Sequence, residues 1–412
     1  MIPKRCINID WLELYCLEDQ TLYPMNADYY ARMGYYVVPR EYGTRQYREM
    51  FTIYRQNEPW LEIRRNPVAG EDTGRAKGMF SPYSCHIRLH NAACYLDYPV
   101  VELEDFLFQH RYDVRRIYRL DIAMDFERFD KGDLPNDFLR RYMNGKYAKI
   151  NQSNIAAHGR DMWDGRQWNS ISWGNEKSMV STKFYNKTME LSRPNHDKPY
   201  IRYAWMLCDL ITNFQTMTKT TAKGNTYKPE IWRVEFSIKS SAQGWYQLDN
   251  NTGKRHTTEM VPHTLNLYES REQLLTAFLS LAHHYFHFKK HITGRRKYDC
   301  PDKTLFTIEA GTEIYHIDRV ITSRQPSQQL LTLKTKLENF QQTTIDLDVR
   351  IACQKIIEYL DRIILSDAMP TFSAKDLHFL QVLLKLRLNS TLSYEEDRQR
   401  AAQIIDTADR LF

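Results

Sequence analysis

Residues 119–125 of the chain, RLDIAMD, are the stretch that decides the fold. Apolar and polar side chains alternate along it with a period of two, which is the period of a β-strand. One face carries Leu120, Ile122 and Met124, and the other carries Arg119, Asp121, Ala123 and Asp125. The pattern therefore predicts a strand that buries one face in the core and keeps the other face polar.

Two later stretches repeat this arrangement. Residues 232–238, WRVEFSI, put Val234, Phe236 and Ile238 on one face and Arg233, Glu235 and Ser237 on the other. In residues 181–187, STKFYNK, Tyr185 shares a face with Lys183 and Lys187, so a phenol lies between two ammonium groups. If the three strands are neighbours in one antiparallel sheet, their polar faces bring carboxylates, arginines and the tyrosine close together.

Outward from these strands, strand-like and helix-like patterns alternate in the order of an α+β fold. The predicted strands are residues 5–16, 34–38, 50–55, 60–64, 83–90, 117–126, 170–174, 180–187 and 230–239, and the predicted helices are 100–112, 134–143, 201–216 and 268–291. We expect antiparallel sheets with flanking helices, divided into an α+β subdomain (1–115), a catalytic α+β region (116–300) and a linker (301–326).

From residue 327 to residue 412 the pattern is helical only. Helices are predicted over 327–366, 373–388 and 393–411, and the last two begin at Ser373 and Ser393 with an acidic residue three positions on, the spacing of a capping box. This region is either a bundle that braces the sheet or a surface for duplex DNA or a partner protein.

Composition excludes several classes of protein. The chain has 412 residues, 42% of them hydrophobic, which is not the composition of a disordered protein. No run approaches the roughly 18 apolar residues of a membrane span, and Asp10 and Glu13 interrupt the apolar core that a signal peptide would need. Seven scattered cysteines without a C-x-x-C pair argue against a disulfide framework and a zinc ribbon. We expect a cytoplasmic protein with no membrane partner.

Charge and aromatic content favour a nucleic-acid partner. The 57 basic and 51 acidic residues give a formal net charge of +6, and basic pairs such as Lys289-Lys290 and Arg295-Arg296 occur among 27 tyrosines and 18 phenylalanines. Interleaved cations and rings suit phosphate neutralisation and base stacking. The same composition also fits a solvated surface with half-buried strand tyrosines, so composition alone leaves both interpretations open.

The predicted polar face has the parts of a metal-dependent nuclease with a tyrosine nucleophile. A free phenol has a pKa of about 10, and nearby ammonium groups such as those of Lys183 and Lys187 favour the phenolate that attacks phosphorus. Carboxylate oxygens suit Mg²⁺ or Mn²⁺, which would polarise the scissile phosphate. The alternative is a solvated sheet face whose cross-strand Arg–acid pairs have no catalytic role.

The candidate metal ligands are Asp121, Asp125 and Glu235. The two aspartates lie about 13 Å apart along a regular strand, so both cannot hold one ion. We expect one of them to act with Glu235, and Asp121 is favoured because its offset from Arg119 equals the offset of Glu235 from Arg233.

Histidines recur every four residues at His283, His287 and His291 on the predicted helix. This is the stripe of a zinc-binding helix, but no cysteine or acidic partner has a matching spacing. The alternative is a basic DNA-facing surface with Lys289, Lys290, Arg295 and Arg296. The histidine–hydrophobic–histidine triplet of the commonest DNA-nicking endonucleases is absent, and so are the G-x-x-x-x-G-K and G-x-G-x-x-G patterns of nucleotide-binding enzymes.

At these same strands the sequence resembles the Rep-trans family of rolling-circle replication initiators and MOB-T type relaxases of plasmids and integrative conjugative elements. The resemblance covers residues 5–290 and consists of 9–12 (IDWL), 118–125 (YRLDIAMD), 173–174 (WG) before 183–187 (KFYNK) with Glu190 following, and 233–235 (RVE). It implies a site-specific endonuclease that nicks one strand at an origin, stays joined to the 5′ end through a phosphotyrosine and needs a divalent cation.

Carried over to this chain, the resemblance makes Asp121, Glu235 and Asp125 the metal-binding acids and Tyr185 the nucleophile, with Tyr200 and Tyr203 as alternatives. Filamentous-phage replication initiators share a similar overall pattern. The first hypothesis is therefore an enzyme that nicks double-stranded origin DNA of a mobile element and works with a host helicase. It would hold the extruded single strand on a basic face to which Arg119 and Arg233 contribute. The second is a sequence-specific DNA-binding regulator that keeps the fold without the chemistry.

Overall fold

The computed structural model describes residues 4–19, 27–68, 83–151, 155–162, 165–175, 178–248, 255–309 and 312–318, together with scattered positions between 334 and 358. Contacts divide the chain into two compact units, residues 1–320 and 321–412. The described positions of the second unit are helical and include the buried residues Leu337, Cys353 and Ile357. The rest of the predicted helix 327–366 and both later helices lie outside the described residues.

A sheet of ten antiparallel strands dominates the first unit. The strands of the unit are β1 (Arg5–Leu17), β2 (Tyr35–Pro39), β3 (Tyr47–Arg55), β4 (Glu58–Pro67), β5 (Ser84–Leu89), β6 (Asp113–Phe126), β7 (Tyr147–Lys149), β8 (Ile155–Met162), β9 (Gly165–Trp173), β10 (Val180–Asn186), β11 (Lys219–Thr220), β12 (Thr226–Tyr227), β13 (Trp232–Lys239), β14 (Gly244–Leu248), β15 (Arg255–Pro262), β16 (Phe288–Lys290), β17 (Asp302–Lys303) and β18 (Tyr315–Asp318). The spatial order of the large sheet is β2-β3-β4-β5-β1-β6-β13-β10-β9-β8, so it draws strands from both sides of residue 115. Small sheets are formed by β11-β12, β15-β14-β18 and β17-β16-β7.

Six helices occur among the described residues of this unit. They are α1 (Ala27–Arg32), α2 (Pro99–Gln109), α3 (Pro135–Met143), α4 (Lys187–Leu191), α5 (Pro199–Leu207) and α6 (Arg271–Tyr285). The predicted mixed α and β composition with a large antiparallel sheet is confirmed. Within the described part of the chain, no helix is long and apolar enough to cross a membrane.

The apolar face of the sheet forms the core, as the alternation predicts. Ile122 of β6 and Phe236 of β13 are fully buried, and the ring of Phe278 on α6 lies 5.1 Å from the ring of Phe236. Helix α6 begins with a capping box in which Ser270 accepts from the Gln273 backbone N–H and Gln273 accepts from the Ser270 backbone N–H.

Two predicted helices are shorter in the structure. The helix expected over 201–216 ends at Leu207, and Asp209 beyond it has a left-handed φ of 54° that a helix cannot continue through. The helix expected over 268–291 ends at Tyr285. Residues 288–290 instead form strand β16 between β7 and β17, because Phe288 pairs with Lys149 and buries its ring in the core.

Candidate active site

Strands β6, β13 and β10 are consecutive neighbours in the sheet, so the condition for one shared polar surface is met. The register places Glu235 of β13 opposite Ala123 on one side and Lys183 on the other. Arg233 lies opposite Asp125 on one side and Tyr185 on the other. Because side chains two residues apart share a face, the polar residues of all three strands meet on one surface, which we call the polar face.

Tyr185 is the centre of a short hydrogen-bonded chain on this polar face. Its hydroxyl donates to Glu235 Oε2 at 3.0 Å, while Lys183 donates to Glu235 Oε1 at 2.8 Å. The Lys187 ammonium lies 3.4 Å from the phenol oxygen and 2.9 Å from both oxygens of Glu190. The phenol therefore has a proton acceptor on one side and a cation on the other.

Burial sets the protonation of this cluster. Desolvation, and then the negative charge of Glu235, raise the pKa of Tyr185 well above that of a free phenol. Glu235 raises the pKa of Lys183, which keeps this side chain charged. Burial lowers the pKa of Lys187 to about 8, with Arg233 acting in the same direction. In the free protein the phenol is thus neutral, and it donates its proton toward a carboxylate.

Asp121 lies next to this cluster on β6. Its carboxylate is 2% exposed and accepts from Arg119 Nε at 2.9 Å and from a second nitrogen of the same guanidinium. Burial, and after it the repulsion from Glu235, raise the pKa of Asp121 despite Arg119. Two buried carboxylates that repel each other, each with a single basic partner, form a site where an added cation is favourable.

A second network lies at the neighbouring end of the polar face, with its centre, Arg233 and Asp125, fully buried. Arg233 donates to Asp125 through Nε at 2.6 Å and through a terminal nitrogen at 2.7 Å, and to Asp10 at 2.7 Å. Trp205 of α5 donates at 2.7 Å to Asp125 Oδ2, which also accepts from the terminal nitrogen of Arg233, and Tyr95 donates to Asp10 at 2.6 Å. Asp125 is therefore bound by its own chain, and its carboxylate is 1% exposed.

Asp10 joins this network through a bulge in β1. The register passes from Ile9 opposite Ile122 to Trp11 opposite Asp121, which leaves Asp10 as an extra residue. Burial alone would raise the pKa of Asp10, but Arg233 and Lys187 lower it below the ordinary value, so the carboxylate stays charged. Regular alternation gives no signal for this residue, because the bulge changes the face that its side chain occupies.

The residues of the polar face fit a divalent cation through two carboxylates. Among the described residues, no group of three or more His, Cys, Asp or Glu side chains is arranged to hold a metal ion. Mg²⁺, however, is commonly bound by one or two carboxylates plus substrate phosphates and water. Asp121 and Glu235 match that donor set and each accept two hydrogen bonds from neighbouring side chains, whereas Asp125 accepts three, two from Arg233 and one from Trp205.

The other basic residues predicted to contact DNA are not on the polar face. Lys289 and Lys290 lie on β16, in the layer that packs through Phe288 against the apolar side of the sheet, and Lys289 is paired with Asp302 at 2.9 Å. Arg295 and Arg296 are exposed in the loop that follows. Lys289 and Lys290 are therefore separated from Tyr185 by the sheet itself.

The predicted histidine stripe does not form. His283 lies on α6 and His287 follows its end, with ring centroids 6.1 Å apart, while His291 lies beyond β16. His287 is hydrogen-bonded to Asp302 at 2.5 Å. The helix on which the zinc interpretation depended ends before two of the three histidines.

The alternative tyrosines differ in position. Tyr200 lies at the second network, with its ring 5.0 Å from that of Tyr95, and burial, followed by the charge of Asp10, raises its pKa to about 12. Tyr203 is 53% exposed on α5. Tyr185 has a closer acceptor and a closer cation than either.

Comparisons with known proteins give similarity in structure but no match in sequence. No family model matches the chain, and no curated protein matches it. A solved structure described as a rolling circle replication initiator protein from Geobacillus stearothermophilus is similar, with 13% sequence identity and a TM-score of 0.40, over 73% of this chain and 93% of that one. A similarity at this level does not by itself establish a common fold or a common activity.

Proposed function

We propose that the chain is a DNA-nicking and strand-transfer enzyme that uses Tyr185 as its nucleophile. The observation that carries the proposal is the position of the Tyr185 hydroxyl, 3.0 Å from the Glu235 carboxylate and 3.4 Å from the Lys187 ammonium. An acceptor and a cation on either side of one hydroxyl are the arrangement that activates an oxygen nucleophile. The sequence resemblance to replication initiators and relaxases supports DNA as the substrate.

The proposed reaction transfers a phosphoryl group from DNA to the tyrosine. The Tyr185 oxygen attacks phosphorus and its proton passes to Glu235, while the Lys187 ammonium stabilises the negative charge that develops on the oxygen. The bond from phosphorus to the 3′ oxygen breaks, and this oxygen takes up the proton that Glu235 received, which leaves a free 3′ hydroxyl and returns Glu235 to its carboxylate form. The 5′ end stays joined to Tyr185 as a phosphodiester, so attack by a 3′ hydroxyl reverses the step and rejoins a strand.

Asp121 and Glu235 would hold the divalent cation, Mg²⁺ or Mn²⁺, which when bound offsets the negative charge of the phosphate. Arg119 keeps the Asp121 carboxylate in place through two hydrogen bonds. The side chain of Lys183 is 47% exposed, so solvent and a phosphate reach it directly, whereas Lys187 is 1% exposed. Lys183 thus suits substrate contact and Lys187 suits stabilisation of the phenolate.

The buried network of Arg233, Asp125 and Asp10 positions the strands that carry these groups. Arg233 lies opposite Tyr185 in the register and is joined to Asp125 on the far strand, so it connects β13 to β6 beside the nucleophile. In this assignment Asp125 is a structural partner of Arg233 rather than a metal ligand.

The biological setting follows from the same resemblance. We propose that the nick starts rolling-circle replication or conjugative transfer of a mobile element, at an origin whose extruded single strand reaches the polar face. A host helicase would then separate the strands.

The test of the proposed function is a nicking assay with supercoiled DNA that carries the flanking sequence of the chain's own gene. The full chain with Mg²⁺ or Mn²⁺ is expected to convert it to the open-circular form, and Tyr185→Phe is expected to abolish the conversion. Tyr203→Phe, which replaces an exposed tyrosine on α5, is the matched control and is expected to nick DNA normally. Specific binding without a nick by the wild-type chain in either metal would support the regulator instead.

A further inference from the structure

A cavity of about 420 Å³ lies on the large sheet away from Tyr185. Its volume is within the range of about 300–1,000 Å³ that small-ligand sites occupy. We call it the aromatic pocket, and the side chains that define it are Tyr15, Arg45, Tyr47, His86, Arg116 and Tyr118.

The sheet itself assembles the rings of the aromatic pocket. Tyr15 of β1 lies opposite Arg116 of β6 and opposite His86 of β5. The register of β1 and β6 then skips Tyr118, and such a bulge redirects the side chain of the extra residue. The His86 ring centroid lies 4.4 Å from that of Tyr118, 5.3 Å from that of Tyr47 and 5.7 Å from that of Tyr15.

Two cations border these rings without an acidic partner. Arg45 and Arg116 are exposed, and neither forms an ion pair with any carboxylate in the described part of the chain. The Arg116 guanidinium lies 5.3 Å from the centroid of the Tyr15 ring. By contrast, Arg64 and Arg119 nearby are paired with Glu13 and Asp121. Rings beside unpaired guanidinium groups fit a base and the phosphates that flank it.

The aromatic pocket is continuous with the candidate active site. His86 is hydrogen-bonded to Glu13 at 3.0 Å, and Trp11, two residues earlier on the same face of β1, donates to Glu13 at 3.3 Å. Trp11 lies opposite Asp121, and Arg119 covers its ring at 4.5 Å. From Trp11 to Tyr15 is roughly 13 Å along the strand.

We propose that the aromatic pocket binds an unpaired base of the DNA strand whose phosphate reaches Tyr185. This inference rests on the proposed function and names the form of its substrate, a single strand that lies along the sheet from Tyr185 to Tyr15. A base that is stacked and paired in a duplex cannot insert between these rings, so the pocket selects the extruded strand. Arg45 and Arg116 contact the phosphates on either side of the bound base.

The test measures binding of the full chain to two labelled probes by fluorescence anisotropy. One probe is a 12-nucleotide oligothymidylate, and the other is a strand of the same length whose positions are all abasic, with the same phosphates. Stacking of one base on aromatic side chains changes affinity by about tenfold or more, so the oligothymidylate is expected to bind at least that much tighter. Tyr118→Leu is expected to remove most of the difference in affinity between the two probes. Tyr36→Leu, which replaces an exposed tyrosine on β2, is expected to retain that difference.

A second measurement on the wild-type chain keeps the proposal testable if Tyr118→Leu does not fold. Photo-crosslinking with 5-iododeoxyuridine in the 12-nucleotide probe is expected to attach to peptides that contain Tyr15, His86 or Tyr118. Equal affinity for the two probes, or crosslinks confined to other peptides, would overturn the proposal. Displacement of the probe by an equal concentration of thymidine 5′-monophosphate would also overturn it, because the site would then take a free nucleotide.

These outcomes are separate from those of the nicking assay. If the chain nicks DNA but binds the abasic strand as tightly as the oligothymidylate, the proposed function stands and the proposed role of the aromatic pocket is wrong. If the chain binds oligothymidylate through Tyr118 but never nicks DNA, the proposed role of the aromatic pocket stands and the proposed function is wrong.

Discussion

Replacement of Arg233 by methionine is expected to destabilise the protein by about 3–5 kcal/mol, the cost of breaking a buried ion pair by removing one partner. The Arg233 side chain is 0% exposed and that of Asp125 is 1% exposed, so solvent does not screen the charge that remains. Two hydrogen bonds to Asp125, one to Asp10 and one to Tyr95 are lost together. Since domains are commonly stable by about 5–15 kcal/mol, the loss is a large fraction of the total.

The assay is urea unfolding of the full chain, followed by tryptophan fluorescence, with the unfolding midpoint and the denaturant slope both measured. Arg115→Met is the matched control, because Arg115 pairs with Asp113 at 2.7 Å but both side chains are more than half exposed. This control is expected to change stability by less than about 1 kcal/mol. Arg233→Met combined with Asp125→Leu is expected to recover part of the loss, since no uncompensated charge remains at Asp125. An Arg233→Met protein within about 1 kcal/mol of the wild type would refute the assignment of this network as the structural support of the site.

Three further predictions concern charge on and near the sheet. Burial lowers the pKa of Lys187 to about 8, so its positive charge is lost as the pH rises through that value. Single-turnover nicking is therefore expected to fall above pH 8. Lys187→Arg, whose side chain stays charged, is expected to remove that fall. Burial lowers the pKa of Lys149 from 10.5 to about 7, so between these values the unfolded chain binds more protons and this group makes stability rise with pH by at most about 1.4 kcal/mol per unit. Urea unfolding at pH 7, 8 and 9 should show a rise in the wild type and a smaller rise in Lys149→Met, because Lys187 acts in the same direction above pH 8. Asp121→Asn is expected to lower metal-supported nicking by about 100-fold or more, while its unfolding midpoint stays near that of the wild type. Asp125→Asn is expected to lower the unfolding midpoint. The opposite pattern would exchange the two roles, with Asp125 as the metal ligand and Asp121 as the structural residue.

Much of the site could be predicted because it depends on a local rule. The period of two along 119–125 and 232–238 assigns each residue to a face, and the structure keeps that assignment wherever the strands are regular. The same rule placed Tyr185 beside Lys187, and the structure has these groups 3.4 Å apart.

The residues that sequence reasoning missed depend on non-local geometry. Asp10 reaches Arg233, which is 223 positions away in the chain, only because of the bulge in β1. The sequence favours Asp121 over Asp125 through its offset from Arg119, but the three hydrogen bonds that Asp125 accepts from Arg233 and Trp205 depend on packing between distant segments. The end of α6 at Tyr285 was missed for a similar reason, since Phe288 pairs with Lys149 and so favours a strand over the helical pattern.

The measurement that tests the central claim most directly is identification of the covalent product. The full chain is incubated with Mg²⁺ and a single-stranded oligonucleotide that contains its nick site, the product is digested with nuclease and trypsin, and the modified peptide is sequenced by mass spectrometry. The account predicts a nucleotide attached through its 5′ phosphate to Tyr185. Attachment to Tyr200 or Tyr203, or nicked DNA without any attached peptide, would contradict it.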